Sequence, residues 1–434
     1  MKYLQVLRAA PNDAQQLEAL YQAARQANEA DEFKADLLTC HAEAPSNMLY
    51  TAWHYRFQYS APDEHAERRN INWKLAIPLG LLNGLVLWAL SDPELTFDGD
   101  RYGMPYLAVL LGPIIGVIVM VFLTLTAKAN YRRTGLLSLG LIVVSVYVLL
   151  VAPGRYPYQQ LMALHLPVLA LAGVGLVVAG WSSTPPTRFV FLAKCIEAVV
   201  TAGVYLIATV IFAGIATAMF DALNIRVPAV YVRLMIAGGA GLLTLVAVAT
   251  VYDPTAEPLA QDFKRGLSRM IATLPRVLLP LTLIVLIIYV IAIPFNFIAP
   301  FQNRDVLVIY NVMLFAVMAL LLGATPLHAE DVPARFQTAL RLGILIVAML
   351  VVIVSLYALS ATVYRTAQGG LTINRLTILG WNALNIALLV VMIYRQLRRG
   401  ASAWVESLHF TFSLGAVGYT AWAIFVVVAT PWLF

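Results

Sequence analysis

Residues 351–375 read VVIVSLYALSATVYRTAQGGLTINR, and residues 376–394 continue LTILGWNALNIALLVVMIY. An apolar run closes at Tyr364-Arg365, the chain turns through Gly369-Gly370-Leu371-Thr372-Ile373-Asn374-Arg375, and a second apolar run returns. A helix needs about 20 mostly apolar residues to cross a hydrocarbon core about 30 Å thick. Each arm meets that length and the turn is short, so the stretch reads as two antiparallel membrane-spanning helices. Everything from about Ile71 onward repeats the pattern. The rule yields eleven segments, at roughly 72–90, 105–127, 136–153, 159–180, 190–219, 229–252, 276–298, 306–325, 336–364, 374–396 and 405–432, with a count between ten and twelve. The fifth and ninth are long, on the order of 45 Å at 1.5 Å per residue, so they must tilt, kink or protrude. The fold class is all-α: a polytopic helical membrane domain over 71–434, preceded by a small helical head over 1–70.

Composition agrees. The chain is 61% hydrophobic and 12% charged, with a mean hydropathy of +0.78; soluble domains are about half apolar and a quarter charged. Cys40 and Cys195 fall in a polar head and an apolar span, so no disulfide framework is expected. The first 20 residues lack the cationic start, apolar core and small-residue cleavage site of a removable signal, so the spans themselves direct insertion. The net charge of +6 is the basic excess of cytoplasmic loops rather than a nucleic-acid footprint.

In the head, Asp13 reads as the cap of a helix running to about Ala30, with Leu17, Leu20, Tyr21 and Ala24 on one face. A second short helix carries Phe33, Leu37 and Leu38. A third, capped by Ser46, aligns Leu49, Trp53 and Phe57. Three such helices make only a marginal core, so the head is expected to lean on the membrane domain or on a protein partner. The charged stretch 63–70 reads as a linker.

Basic residues orient the spans. Of the 29 Lys and Arg, five lie in the head (Lys2, Arg8, Arg25, Lys34, Arg56) and seven fall on one side of the predicted spans (Arg101, Arg155, Arg226, Arg233, Arg304, Arg365, Arg375), none of them a lysine. The remaining seventeen fall on the other side. By the positive-inside rule the protein is a multi-pass plasma-membrane (inner-membrane) protein with its N-terminus cytoplasmic and its C-terminus outside. The first outer loop, 91–103, is acidic through Asp92, Glu94, Asp98 and Asp100. No internal repeat is evident. Pro294 in the seventh span and the Gly238-Gly239-Ala240-Gly241 run in the sixth have no mates in the other half, so an inverted-repeat transporter is neither supported nor excluded.

The turn between the ninth and tenth spans also carries a family resemblance. Leu356-Tyr357-Ala358, Tyr364-Arg365 and Gly370-Leu371-Thr372-Ile373-Asn374-Arg375 resemble the uncharacterised bacterial membrane family of unknown function numbered 4153, with its neighbour 4173. The resemblance covers about 40 residues; Ile373 stands where the family pattern carries proline, and the head lies outside it. It implies a multi-spanning membrane protein and no assigned chemistry. Without the family, the turn still makes physical sense: Gly369 or Gly370 ends one helix, and Thr372 caps the next. Arg375, one turn in, sits near the outer interface. Two readings stay open: a capped hairpin with a snorkelling arginine, or an anion or lipid-headgroup contact built from Arg365, Arg375 and Thr372.

Ionisable groups inside spans are costly and are candidates for function. Glu197 follows Lys194 by three residues, so the two pair on one helix face, either as an interfacial ion pair or as a carboxylate serving ion movement. Asn382 and Asn385 share a face of the tenth span and are expected to hydrogen-bond between helices. His165, Asn311 and His409 read as packing residues. The loop 253–276 has Phe263, Leu267 and Met270 at helical spacing and reads as a basic amphipathic segment on lipid. His328, Glu330 and Asp331, or Cys40 and His41 with His54 and His65, make no convincing metal site, and no cofactor is expected.

No phosphate-binding loop, nucleophile elbow, His-Glu-x-x-His or cysteine zinc pattern occurs. Three functions follow in order: an accessory, structural or regulatory subunit binding partner proteins through residues 1–70 and the membrane surface; a transporter or channel for an ion, lipid or small solute; and a lipid-modifying enzyme holding phosphate with Arg365 and Arg375. Membrane lipids are the expected neighbours, with no nucleic acid.

Overall fold

The computed structural model describes residues 3–9, 12–26, 29–59, 71–97, 103–263 and 266–434. The linker stretch 63–70 and the residues Asp98, Asp100, Arg101, His65, Lys264 and Arg265 lie outside them. The chain divides into two compact units, Met1–Asn70 and Ile71–Phe434.

Among its described residues the first unit holds four helices rather than three: α1 Leu4–Ala9, α2 Ala14–Gln26, α3 Ala30–Glu43 and α4 Met48–Tyr59. Asp13 caps α2 as expected, its Oδ1 accepting from Gln16 N at 2.9 Å. The cap of α4 is Asn47, not Ser46: Asn47 Oδ1 accepts from the amides of Leu49 and Tyr50 at 2.9 and 3.1 Å. The additional helix, α1, buries Leu4 and Leu7 with Leu17, Tyr21, Phe33, Leu37, Tyr50 and Trp53. Tyr50 Oη donates to Leu7 O at 2.6 Å, fixing α1 to α4. Of the apolar residues on α3, Phe33 and Leu37 are buried and Leu38 is exposed.

Among the described residues the second unit contains eleven helices long and apolar enough to span a membrane, each within a few residues of its expected segment. They are α5 Trp73–Leu90, α6 Tyr106–Ala127, α7 Tyr131–Val151, α8 Tyr156–Ala179 and α9 Pro185–Ala222. The sixth span joins α10 Ala229–Arg233 to α11 Gly239–Val251 through a π turn at Leu234–Gly238. Then come α12 Gly266–Ala292, the single turn α13 Ala299–Gln302, α14 Arg304–Ala324, α15 Ala334–Gly369, α16 Ile373–Arg399 and α17 Trp404–Leu433. No strand occurs among the described residues; Thr96 and Pro105 form one isolated bridge. Short connections make the spans alternate in direction. The end where α5 begins is called the entry end below, and the other the far end.

Neighbours in space are not always neighbours in sequence: α5 packs on α11, α6 on α8, and α17 on α8, α9 and α16. Large side chains such as Leu136, Leu150, Leu164 and Phe212 point outward, the apolar belt that a bilayer requires. The fold therefore defines a multi-pass helical membrane protein in contact with lipid.

Small residues set the closest crossing. Gly80 and Gly84 of α5 face Gly238, Gly241 and Leu242, and a Cβ on Gly241 would stand 2.6 Å from Gly84 Cα. Asn83 Nδ2 donates to Gly241 O at 2.8 Å across the same contact. Backbone blocks backbone here, so no side chain can yield. Gly241→Leu is expected to lower stability by more than about 1 kcal/mol, read as a lower melting temperature in detergent. Gly140→Leu, where nothing lies within 4 Å, is expected to leave it unchanged.

In the head, Arg8 of α1 pairs with Glu43 of α3, holding the Glu43 carboxyl below the usual carboxylate range through that hydrogen bond and the arginine charge. A lowered carboxylate contributes above its ordinary pKa near 4.3 and loses its contribution as pH falls through the lowered value. Acidification below about pH 4 is expected to raise amide exchange in α1, and Glu43→Gln to remove that pH dependence.

Candidate functional site

The turn that orders the sequence also forms a polar cleft of the membrane unit. The helix α15 ends at Gly369, and Gly370 takes φ +76°, a conformation glycine adopts without penalty. Thr372 then caps α16, its Oγ1 accepting from Arg375 N at 3.3 Å. The glycine helix end and the threonine cap are those the sequence predicts. Arg375 curls back over the turn instead of reaching away, and its Nη1 donates to Gly370 O at 2.5 Å.

These residues enclose a cavity of about 240 Å³ at the far end. Its walls are Leu307 and Val308 of α14, Thr362 and Arg365 of α15, and Thr372, Asn374, Arg375 and Ile378 of the turn and α16. The three residues singled out by sequence, Arg365, Thr372 and Arg375, thus share one cleft. Thr362 and Asn374 join them unforeseen; Thr362 lies three residues before Arg365, the helical spacing that puts two side chains on one face. The cavity is smaller than the 300–1,000 Å³ usual for drug-sized ligands and suits a small polar group.

Two other arginines of the far end are engaged with described partners. Arg233 is paired with Asp92 at 2.9 Å and also donates to Ser91 Oγ at 3.1 Å. That contact, after the Glu94 backbone amide, holds the Asp92 carboxyl below its ordinary value. Arg155 donates to Pro431 O at 3.2 Å near the end of α17. Arg365 has no hydrogen bond or ion pair among the described residues, and Arg375 is satisfied only by a neutral carbonyl. Both are half-buried. Thr362 Oγ1 already donates to Ala358 O at 2.9 Å; two guanidinium groups without a described carboxylate, beside the Thr372 hydroxyl and the Asn374 amide, form a donor-rich site for an anion.

The intramembrane candidates lie elsewhere and are occupied with one another. Lys194 and Glu197 are both buried, with Nζ to Oε2 at 2.8 Å. Lys194 also donates to Asp262 O and lies 4.1 Å from the Phe263 ring centre. The segment ending at Phe263 therefore closes over the pair, and Phe263 packs on Lys194 instead of facing lipid. From Gly266 the chain is already part of α12.

Asn385 bonds across helices as expected, accepting from Tyr419 Oη at 2.5 Å. Asn382 does not: it is buried, and its Nδ2 has no partner among the described residues. His165 is the middle of a polar chain that sequence could not show. Its Nδ1 is 2.7 Å from Leu161 O, and its Nε2 accepts from Trp381 Nε1 at 3.0 Å. Those contacts place the proton on Nδ1 of a neutral ring. His409 stacks on Phe189 at 3.9 Å with Nε2 3.0 Å from Pro326 O. No metal-binding cluster of His, Cys, Asp or Glu occurs among the described residues.

Compared with known proteins, the chain matches no family model, no curated protein and no solved structure.

The Lys194–Glu197 pair gives a test of structural against transport roles. Removing one partner leaves an uncompensated buried charge, costing about 3–5 kcal/mol. Lys194→Met alone is expected to destabilise the protein in detergent, and Lys194→Met with Glu197→Leu to recover most of the loss. A double variant that stayed as unstable as the single would show that the pair is not the unit.

Proposed function

We propose that this is an accessory or regulatory plasma-membrane protein that holds an anionic group, the phosphate of a lipid headgroup or a small free anion, in the cleft between α14, α15 and α16. The observation that carries the reading is Arg365: a half-buried guanidinium without a described partner, turned with Arg375 onto a cavity lined by Thr362, Thr372 and Asn374. Hydrogen bonds to charged groups contribute about 1.5–3 kcal/mol, and a phosphate accepts from both arginines at once. The basic excess at the entry end supports a cytoplasmic N-terminus, which puts the cleft at the outer leaflet.

Retention rather than chemistry fits the lining, which offers donors to an anion. The lipid-modifying reading would need an acid or base beside them. The transporter reading loses support from Glu197, whose charge is matched by Lys194. The separate compactness of Met1–Asn70 supports a docking role for the head with a protein partner. The resemblance of residues 356–375 to the family of unknown function numbered 4153 belongs to the same proposal and adds no activity.

Native mass spectrometry of the full-length protein with phosphatidylglycerol, and separately with inorganic phosphate, tests the cleft. Retention of either is expected to fall about tenfold or more in Arg365→Ala, as 1.4 kcal/mol corresponds to a factor of ten. Loss of lipid but not phosphate retention assigns a headgroup, and the reverse a free anion. Equal retention in wild type and variant overturns the reading. For the head, removing residues 1–65 should leave the membrane unit inserted and abolish recovery of any stoichiometric protein companion.

A further inference from the structure

The helices α6, α8, α9 and α11 leave a groove of about 320 Å³ between them. Its cause is local. Against each other, α6 and α8 touch almost backbone to backbone: a Cβ on Gly112 would lie 2.6 Å from Pro167 Cα, and one on Gly116 2.8 Å from Ala170 Cβ. The helix α9 meets α8 where the Phe191 ring fills the space beside Gly175, 2.8 Å from where a Cβ would be. Beyond that contact α9 offers Ala198 and Ala202 to the gap, side chains too short to close it.

Dimensions and chemistry then select the occupant. On α9 the lining runs from Phe191 to Ala202, and on α6 from Leu111 to Leu123. At 1.5 Å per residue these stretches measure about 17 Å, close to half of a hydrocarbon core of about 30 Å. The groove starts beside Lys194 and Tyr252 near the entry end and runs past the middle of α6 to Leu111. A helix about 10–12 Å across would fill several times the groove's volume over that length. Two of the polar side chains on the walls are already engaged: Thr244 Oγ1 donates to Ala240 O at 2.7 Å, and Lys194 is held by Glu197 and Asp262; Tyr252 sits at the entry end, and the Cys195 thiol packs as a small apolar group. What remains is hydrocarbon. Val199 at the rim is 71% exposed, so the groove opens sideways onto the apolar belt, and a chain enters it without crossing water.

We infer that this groove binds one acyl chain of a phospholipid from the leaflet at the entry end, as a defined site distinct from the surrounding lipid. Each buried methylene contributes about 0.8 kcal/mol in transfer from water. From lipid that term vanishes, so the groove gains through close packing and not through dehydration. The site is independent of the arginine cleft, which lies at the opposite end.

The test uses the full-length protein in phosphatidylethanolamine–phosphatidylglycerol vesicles doped with a phospholipid bearing a diazirine on one acyl chain. After irradiation, adducts are mapped by peptide mass spectrometry. Groove residues Ile115, Val119 and Ala198 are expected to be labelled several-fold above Leu136 and Leu150, the outward leucines of α7. Ala198→Phe with Ala202→Phe fills the groove and is expected to remove the excess while α7 labelling stays. Groove labelling no higher than that of α7 in the wild-type protein overturns the inference without recourse to any variant. So does an excess that survives the filled groove, or a protein segment crosslinked in place of lipid.

Discussion

Inside a bilayer no water is available to backbone N–H and C=O groups, so each must be satisfied within the protein. The rest of the structure depends on that constraint. It forces residues 71–434 into long helices and moves irregular backbone to the two ends. It also governs the polar side chains that remain. Thr209, Thr244, Thr325, Thr362 and Thr430 each return a hydroxyl hydrogen bond to a carbonyl four residues earlier, at 2.6–2.9 Å. Asn385 and His165 reach across to neighbouring helices. Among the described residues a few buried polar atoms, such as Thr201 Oγ1, Ser355 Oγ and Asn382 Nδ2, find no partner; Arg365 differs from them in carrying a full charge.

The two arginine settings show how the same residue type serves different ends. Arg133 of α7 donates to Leu176 O and Val177 O of α8, both at 3.3 Å. It thereby adds a donor at the end of a neighbouring helix, where Leu176 O also accepts from Gly180 N at 3.0 Å. Arg375 does the same for Gly370 across its own turn, and so gives the cleft one fixed wall. Arg365 stays available. The ion pair of Lys194 and Glu197 belongs with the structural group: it anchors the segment before α12 onto α9 and leaves no net charge in the span.

Much of this architecture was legible in the sequence, because length and hydropathy report directly on the bilayer. Boundaries were missed where a helix outruns the apolar stretch. The third span begins at Tyr131 because Arg132 and Arg133 belong to its first turn, residues that a hydropathy rule leaves outside. In the head, α1 was invisible because Leu4 and Leu7 make a single helical step, too short to show a period; its burial comes from α3 and α4, distant in sequence. The arginine cleft was legible as a set of residues because one turn holds Arg365, Thr372 and Arg375 together. Partners drawn from other helices were not: Trp381 for His165, Tyr419 for Asn385, Asp262 for Lys194. The apolar groove left no trace at all, since Ala198, Val199 and Ala202 read like any other span until the close approach of α6 and α8 sets them apart.

The account turns on which membrane face carries the α15–α16 turn. Gln368→Cys lies exposed at that turn, and Ser402→Cys lies exposed at the opposite end of α16. Labelling each variant in intact cells with a membrane-impermeant maleimide decides the matter most directly. The account predicts that the cysteine at 368 reacts at once and the one at 402 only after the membrane is opened. Labelling at 402 in intact cells, with 368 protected, would contradict it.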